Sequence, residues 1–335
     1  MKVFEIQEFG IDKLALVDRA KPLPGPGQAL LRMTAASLNY RDYMMVVGTY
    51  NPRLKRPVIP LSDGAGIVEE VGDGVTRVKP GDRVAACFFQ KWIEGPPTRE
   101  KANSALGGAI DGVAREYAVF SEDGLVLAPP SLTDAEVAAL PCAAVTAWHA
   151  LFGHAGTVPG DTVLLQGTGG VSIFALQFAK LAGLRTIVTS SSDEKLARAR
   201  KLGADETVNY KTTPNWDEVA RKLAGGEGVD HVIEVGGGDT LARSMKALRT
   251  HGAISVIGVL SGAAAAITPV SVLVASARIQ GIYVGSRNMF EQMNRAIEFH
   301  HVKPVVDQTF EWTYLKEALR YLESQRHFGK ISLKF

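Results

Sequence analysis

Between residues 161 and 284 the chain alternates short apolar runs with amphipathic ones, and few folds accommodate that rhythm. DTVLLQG reads as a strand, 172–182 as a helix, RTIVTS as a strand, DEKLARARKLG as a helix and ETVNY as a strand. A helix over 215–224, the strand HVIEVG, a helix over 239–248 and the strands AISVIGV and IQGIYVG complete the series. Strands that alternate with helices join through crossovers, and a helix on each face buries the strand between them. The pattern predicts an α/β fold with a doubly wound parallel sheet.

The first strand-to-helix turn carries LLQGTGGVS, residues 164–172. Gly167, Gly169 and Gly170 match most of the G-x-G-x-x-G fingerprint, with Ser172 in the place of the last glycine. In a strand–turn–helix setting Gly167 permits the tight turn, and Gly169 lets the backbone approach a pyrophosphate. The helix start, with Thr168 and Val171 in the same loop, presents N–H groups and a positive dipole end. Serine is small enough to allow the close helix–strand packing that the third glycine serves. A dinucleotide site is expected here.

The following strand discriminates between dinucleotides. NAD-binding units place a carboxylate roughly 20 residues on, where it accepts from the ribose 2′-hydroxyl. This strand ends instead in Ser190, Ser191 and Ser192, with Asp193 falling later and Lys195 close behind. Hydroxyls and a cation suit a 2′-phosphate, so NADPH is favoured over NADH. The same residues also read as a helix start, with Ser191 and Glu194 at capping-box spacing. Both readings can hold, since a capped N-terminus is also an anion site.

The residues before this region read mostly as β structure: MKVFEI, KLALV, QALLRMTAASLN, AGIVEEV, DRVAACF, AREYAVF and GLVLAPP, separated by turns such as PGPG, GDG and KPGD. Residues 91–112 are polar and aperiodic and predict a loop or small lobe. A helical texture opens near Thr133, and the chain after 285 returns to mixed helix and strand ending in GKISLKF. Two domains suit 335 residues, since a domain is typically about 100–200 residues. We place them at 1–125 with 286–335, and at 126–285.

Several classes fall away. With 37 basic and 35 acidic residues the net charge is +2, which predicts neither nucleic acid nor an anionic membrane as partner. The two cysteines, Cys87 and Cys142, cannot form a disulfide scaffold or a four-cysteine zinc site. All seven histidines follow residue 148, so the N-terminal domain has no ordinary His/Cys metal set. Y-x-x-x-K, G-x-S-x-G, H-E-x-x-H and G-x-x-x-x-G-K-[ST] are all absent. MKVFEIQEFG lacks the apolar segment of a signal peptide, and the apolar stretch 253–284 is broken by Ser, Gly, Pro and Arg278. A cytoplasmic enzyme is expected.

SLNYRD (37–42), PLSDGAGIVEEVGDGV (60–75), KPGDRV (79–84), LPCAAVTAWHAL (140–151) and GTGGVS stand in the order and spacing of the medium-chain dehydrogenase/reductase superfamily, which the whole chain resembles. The resemblance implies a mostly β, GroES-like catalytic domain beside the Rossmann domain. Zinc-dependent members carry Cys and His where this chain has Asn39 and Ser62, although Cys142 stands where a third ligand belongs. The chain therefore resembles the zinc-free quinone oxidoreductase branch, whose members use NADPH to reduce quinones or activated alkenes.

That resemblance implies an active-site role for Asn39, a grip on the 2′-phosphate by Lys195 and Tyr210, and Thr146 facing the nicotinamide. It also implies backbone contacts to the cofactor from Gly258 and Val259, contributions from Ser286 and Arg287, and a homodimer that pairs sheet edges through 279–284. Tyr43 and Tyr50 are candidate proton donors or aromatic platforms; Asp42 and Asp63 are expected to fix local backbone. Cys142 is either a reactive thiol or a buried small residue. The expected activity is zinc-independent hydride transfer from NADPH to a quinone or α,β-unsaturated carbonyl. The rivals are a zinc-free alcohol or aldehyde reductase, and an NADPH-binding protein without catalysis.

Overall fold

The computed structural model describes residues 1–335 except 261 and 263–266. The chain divides into two units, Met1–Val145 with Gly285–Phe335, and Thr146–Val284. The first supplies β1 (Lys2–Glu5), β2 (Ala15–Asp18), β3 (Gln28–Leu38), β4 (Asp63–Val71), β5 (Arg83–Ala86), β6 (Tyr117–Ser121) and β7 (Leu125–Leu127). The second supplies β8 (Thr162–Gln166), β9 (Arg185–Ser190), β10 (Glu206–Asn209), β11 (Val229–Glu234), β12 (Leu248–Val256) and β13 (Arg278–Gly281). The first unit then resumes with β14 (Val306–Glu311) and β15 (Lys330–Lys334).

In the first unit the sheet runs β14-β15-β3-β4-β5-β7, with β6 beside the first half of β3. The long strand β3 organises it, pairing antiparallel with β6 early and with β15 late, and with β4 along most of its length. Its core gathers Leu31, Met33, Ala36 and Leu38 of β3 with Val68, Val84, Leu319 and Ile331. Phe4 packs edge-on against Trp312, which stacks on Phe335. Residues 91–112 contain one short helix, Arg99–Ala102, capped by Thr98. The helix Tyr40–Val46 was not legible, because a segment that short shows no apolar period.

The helical stretch begins where Thr133 and Glu136 form a capping box. It then changes winding twice, with π turns at Leu140–Ala144 and His149–His154. Pro141 lacks the N–H that an α-helical ladder needs there, a cause for the first change. The division near 145 lies beyond the expected 125/126 boundary. Residues 126–145 belong to the first unit, and hydrogen bonds tie them there. Arg83 pairs with Asp134, and Ser332 donates to Ala135 O at 3.1 Å.

The second unit is a six-stranded, wholly parallel sheet of order β10-β9-β8-β11-β12-β13, as the alternation predicts. Every residue of β8 is buried, as expected of a strand covered on both faces. Leu164, Ile187, Val208, Val232 and Ile254 form the centre of one core cluster. Strand order reverses between β8 and β11, and such a switch point opens a crevice at the carboxyl ends of the strands. Among the described residues no helix is long and apolar enough to cross a membrane.

Candidate functional site

The glycine loop leaves β8 at that switch point. Gly167 has φ of 74°, in the left-handed region that favours glycine. Gly169 caps the helix Gly170–Leu181 without a side-chain bond. A Cβ at Gly167 or Gly169 would meet nothing within 4 Å, so the space over the loop is open to a ligand. An anion there would face the first N–H groups of the helix at Gly170 and Val171, with the buried Thr168 in the turn. Ser172 takes the third glycine's part differently: its hydroxyl donates to Gln166 O at 2.6 Å, stitching helix to strand. These residues fit a pyrophosphate.

Below the loop lies a buried polar network that the sequence reading missed. Glu234, at the end of β11, accepts from Gln166 Nε2 at 2.8 Å and Thr240 Oγ1 at 2.6 Å, and also from Ser244 Oγ. The N–H groups of Gly236 and Gly237 each reach it at 2.9 Å. One carboxylate thus ties β8, β11 and the helix Leu241–Ala247 together at the switch point. Gly258 closes the same region: a Cβ there would come within 2.4 Å of Val235 O, so a side chain would force the backbone apart. Val259 beside it is exposed, and Thr146 is buried in the helix Val145–Trp148.

At the end of β9, Ser190 is buried and its hydroxyl accepts from Ser192 N at 3.4 Å. Ser192, not Ser191, caps the helix Asp193–Lys201, accepting from Lys195 N at 3.3 Å. β9 runs through Ser190, so the turn begins too late for Ser191 to cap. Tyr210 N donates to Ser190 O at 3.0 Å. Ser190, Ser192, Lys195 and Tyr210 are therefore brought to one strand end, with Ser191 between them. Asp193 accepts from Asn209 Nδ2 at 2.8 Å and is the capped helix's first residue rather than a strand-end carboxylate.

Ser286 and Arg287 fall in the other unit. Ser286 caps the helix Arg287–His300, and Arg287 donates to the Asp123 carboxylate at 2.7 Å and carbonyl at 3.0 Å. These bonds give both side chains a place in the fold.

In the first unit three neighbouring strands bring their ends together. Asn39 follows β3, Ser62 precedes β4 and Asp63 opens it, and Lys330 opens β15, one residue beyond the Ile331–Leu38 pair. Lys330 Nζ donates to Asn39 Oδ1 at 2.6 Å and Leu38 O at 2.8 Å, and lies 3.6 Å from Asp63 Oδ2. Asn39 Nδ2 donates to Ser62 Oγ at 3.3 Å, and Ser62 Oγ to Asp63 Oδ1 at 2.8 Å. Cys142 N donates to Asp63 Oδ2 at 3.2 Å.

Asp42 accepts from Asn39 N at 2.9 Å and pairs with Arg41, whose guanidinium donates to Leu106 O at 2.7 Å. Asp42 and Asp63 thus hold backbone, as expected. The signal for Lys330 was present: a lysine heads the alternating strand KISLK immediately after a turn glycine, Gly329, at φ 79°.

Tyr43 does not join this cluster. Its hydroxyl donates to Glu323 at 2.7 Å, and that carboxylate pushes the phenol up to about 12, which makes it a poor proton donor. Its expected role as an acid is corrected accordingly. Tyr50 is exposed, with the Arg41 guanidinium 5.8 Å over its ring, which favours the platform over the acid.

The donor set does not suit zinc. Asn39 and Ser62 are weak neutral ligands, and burial pushes the Cys142 thiol well above its usual range, against the thiolate zinc requires. An ammonium hydrogen-bonded to Asn39 opposes a second cation at that place. Among the described residues no cluster of three or more His, Cys, Asp or Glu side chains could hold a metal ion.

Burial pushes Asp42 up to about 6, against the opposing pull of Arg41. A raised carboxylate holds its proton in the folded chain where the unfolded chain has lost it. Its contribution therefore stabilises below the ordinary carboxylate value and fades as pH rises through about 6. Asp42→Asn should remove that dependence. The stability difference between wild type and variant should shift in favour of the variant by about 1–3 kcal/mol between pH 4 and 7. Urea unfolding across that range measures it.

Two family models match the chain: an alcohol dehydrogenase GroES-like domain over residues 25–130 and a zinc-binding dehydrogenase over residues 170–298. A zinc-type alcohol dehydrogenase-like protein of Schizosaccharomyces pombe is 48% identical over 96% of this chain and 97% of its own. The chain belongs to the medium-chain dehydrogenase/reductase superfamily.

Among other superfamily members, a 2-haloacrylate reductase of a Burkholderia species is 34% identical over 72% of this chain and 68% of its own. The crystal structure of an NAD-dependent alcohol dehydrogenase, 35% identical, superposes with a TM-score of 0.92 over the full length of both chains. Membership makes the protein an NAD(P)-dependent oxidoreductase, and it corresponds to the α/β architecture of a Rossmann sheet and a GroES-like unit described above.

Proposed function

We propose that this superfamily member is a zinc-independent reductase that uses NADPH to deliver hydride to a quinone or an α,β-unsaturated carbonyl. The observation that carries this reading is the Asn39–Ser62–Asp63–Lys330 cluster, which includes the two residues that stand, by the family resemblance, where zinc-dependent members carry Cys and His. It offers a hydrogen-bond donor, Asn39 Nδ2, beside a buried ammonium. Alcohol oxidation needs a group that lowers a hydroxyl's pKa, which zinc supplies in relatives that bind it. A donor aimed at a carbonyl assists the opposite direction, by stabilising charge on oxygen.

When bound, the cofactor supplies a hydride. The chain's task is to polarise the acceptor and hold it. Asn39 donates to the acceptor carbonyl; the β-carbon gains the hydride, the alkene π pair shifts to the bond between the α-carbon and the carbonyl carbon, and the carbonyl π pair moves to oxygen. The resulting enolate takes a proton from water. A quinone accepts in the same sense and ends as the hydroquinone.

Gly167, Thr168, Gly169, Gly170 and Val171 would hold the pyrophosphate, and Ser191, Lys195 and Tyr210 the 2′-phosphate. Lys195→Ala should raise KM for NADPH at least about 10-fold while leaving NADH within about threefold. Steady-state kinetics with both cofactors decides this, and equal effects would show that the strand end does not read the phosphate.

The test of the activity is turnover of NADPH with a quinone, an enone and a panel of aldehydes, against NADP⁺ with alcohols. Alcohol oxidation outpacing enone reduction would favour the rival reading that the names of several relatives suggest. The haloacrylate reductase is a relative named for activity on an activated alkene. The proposal includes a homodimer: β13 ends the sheet, and the helix Pro269–Ala275 exposes Val270, Leu273 and Val274. It also places the enzyme in the cytoplasm.

A further inference from the structure

The cluster around Asn39 closes on itself. Lys330 donates to Asn39, Asn39 to Ser62 and Ser62 to Asp63, whose other oxygen faces Lys330 again. An ammonium has donors and no acceptor, so the amide oxygen must turn toward Lys330 and the nitrogen away from it. A hydrogen bond from a cation also polarises the amide and strengthens its N–H as a donor. Ser62 takes one of the two hydrogens that Nδ2 carries. Lys330 and Asp63 are both buried, so water screens neither charge strongly.

We propose that Lys330 is a positioning residue for the reduction: it locks the Asn39 amide with its nitrogen toward the acceptor and lends it positive charge through the Oδ1 hydrogen bond. This rests on the proposed reductase activity. Lys330 does not touch the acceptor; it acts through Asn39, and its effect must vanish when Asn39 is gone.

A double-mutant cycle tests that dependence on the full-length protein. Lys330→Met should lower kcat with an enone by about 10–100-fold, with KM for NADPH nearly unchanged. In an Asn39→Ala background the same change should lower kcat by less than about threefold. If Lys330→Met costs the same factor in both backgrounds, Lys330 acts independently of Asn39 and the proposal is overturned. Because Lys330→Met strands Asp63, the pair Lys330→Met/Asp63→Asn removes both charges together and is carried through the same cycle.

A second readout does not need turnover. With ¹⁵N-labelled asparagine, the side-chain signal lost in Asn39→Ala belongs to Asn39. Lys330→Met should move it strongly; an unmoved signal would overturn the locking. Should the wild type reduce no quinone or enone, the activity reading fails, and this signal still decides whether Lys330 orients the amide.

Discussion

Replacing Glu234 with alanine is expected to lower the unfolding free energy by about 3 kcal/mol or more and to weaken dinucleotide binding with it. The carboxylate is fully buried and accepts from the N–H groups of Gly236 and Gly237 and from Gln166, Thr240 and Ser244. Removing it leaves several buried donors without a partner, each costing about 1–3 kcal/mol before water enters the gap. Gly236, Thr240 and Gln166 keep alternative contacts, to Gln166 Oε1, Gly237 O and Ser244 Oγ respectively, so the sum is not the full tally.

The loss should reach the cofactor, because Gln166 is the residue from which the glycine loop departs. Glu234→Gln keeps the shape but turns a donor toward donors, and should cost about half as much. Urea unfolding and a fluorescence titration with NADPH measure the two effects. A loss below about 1 kcal/mol would mean that the network does not hold the switch point.

The second large effect is at Asn39. Asn39→Ala should reduce kcat with an enone by about 100-fold, since deletion of a donor to a developing oxyanion costs on the order of 10²–10³ in rate. Affinity for NADPH should change little, which separates lost polarisation from lost binding. Asn39→Asp should be worse, because a carboxylate cannot donate and would stand beside Ser62 and Asp63. Ser62→Ala should be milder, because the Lys330 bond still orients the amide. A kcat within about threefold of wild type for Asn39→Ala would remove this residue from the chemistry.

What was legible in the sequence was local. The alternation of β8 to β13 with helices announced the parallel sheet, since burial on both faces makes each strand a continuous apolar run. LLQGTGGVS announced its loop, because backbone conformation and ligand approach both demand glycine at fixed spacings. What was not legible depends on register and distance along the chain.

Lys330 meets Asn39 across 291 residues, and only the pairing of β15 with β3 creates that contact. Tyr43 looked like an acid until the fold set Glu323 against it, 280 residues away. Periodicity cannot fix where a strand stops, so the cap passed from Ser191 to Ser192. A helical texture does not say which sheet it will pack on, so residues 126–145, read with the Rossmann domain, group with the first unit of the fold.

The fate of the transferred hydride separates metal-free enone reduction from its rivals. NADPH carrying deuterium on the transferred position of C4 is incubated with the enzyme, treated to remove metal, and a simple enone. The product is then read by mass spectrometry and NMR. A saturated ketone with the label on the β-carbon, formed at an undiminished rate after metal removal, is the expected result. An allylic alcohol labelled at the carbinol carbon, an unlabelled product, or activity that returns only with added zinc would contradict it.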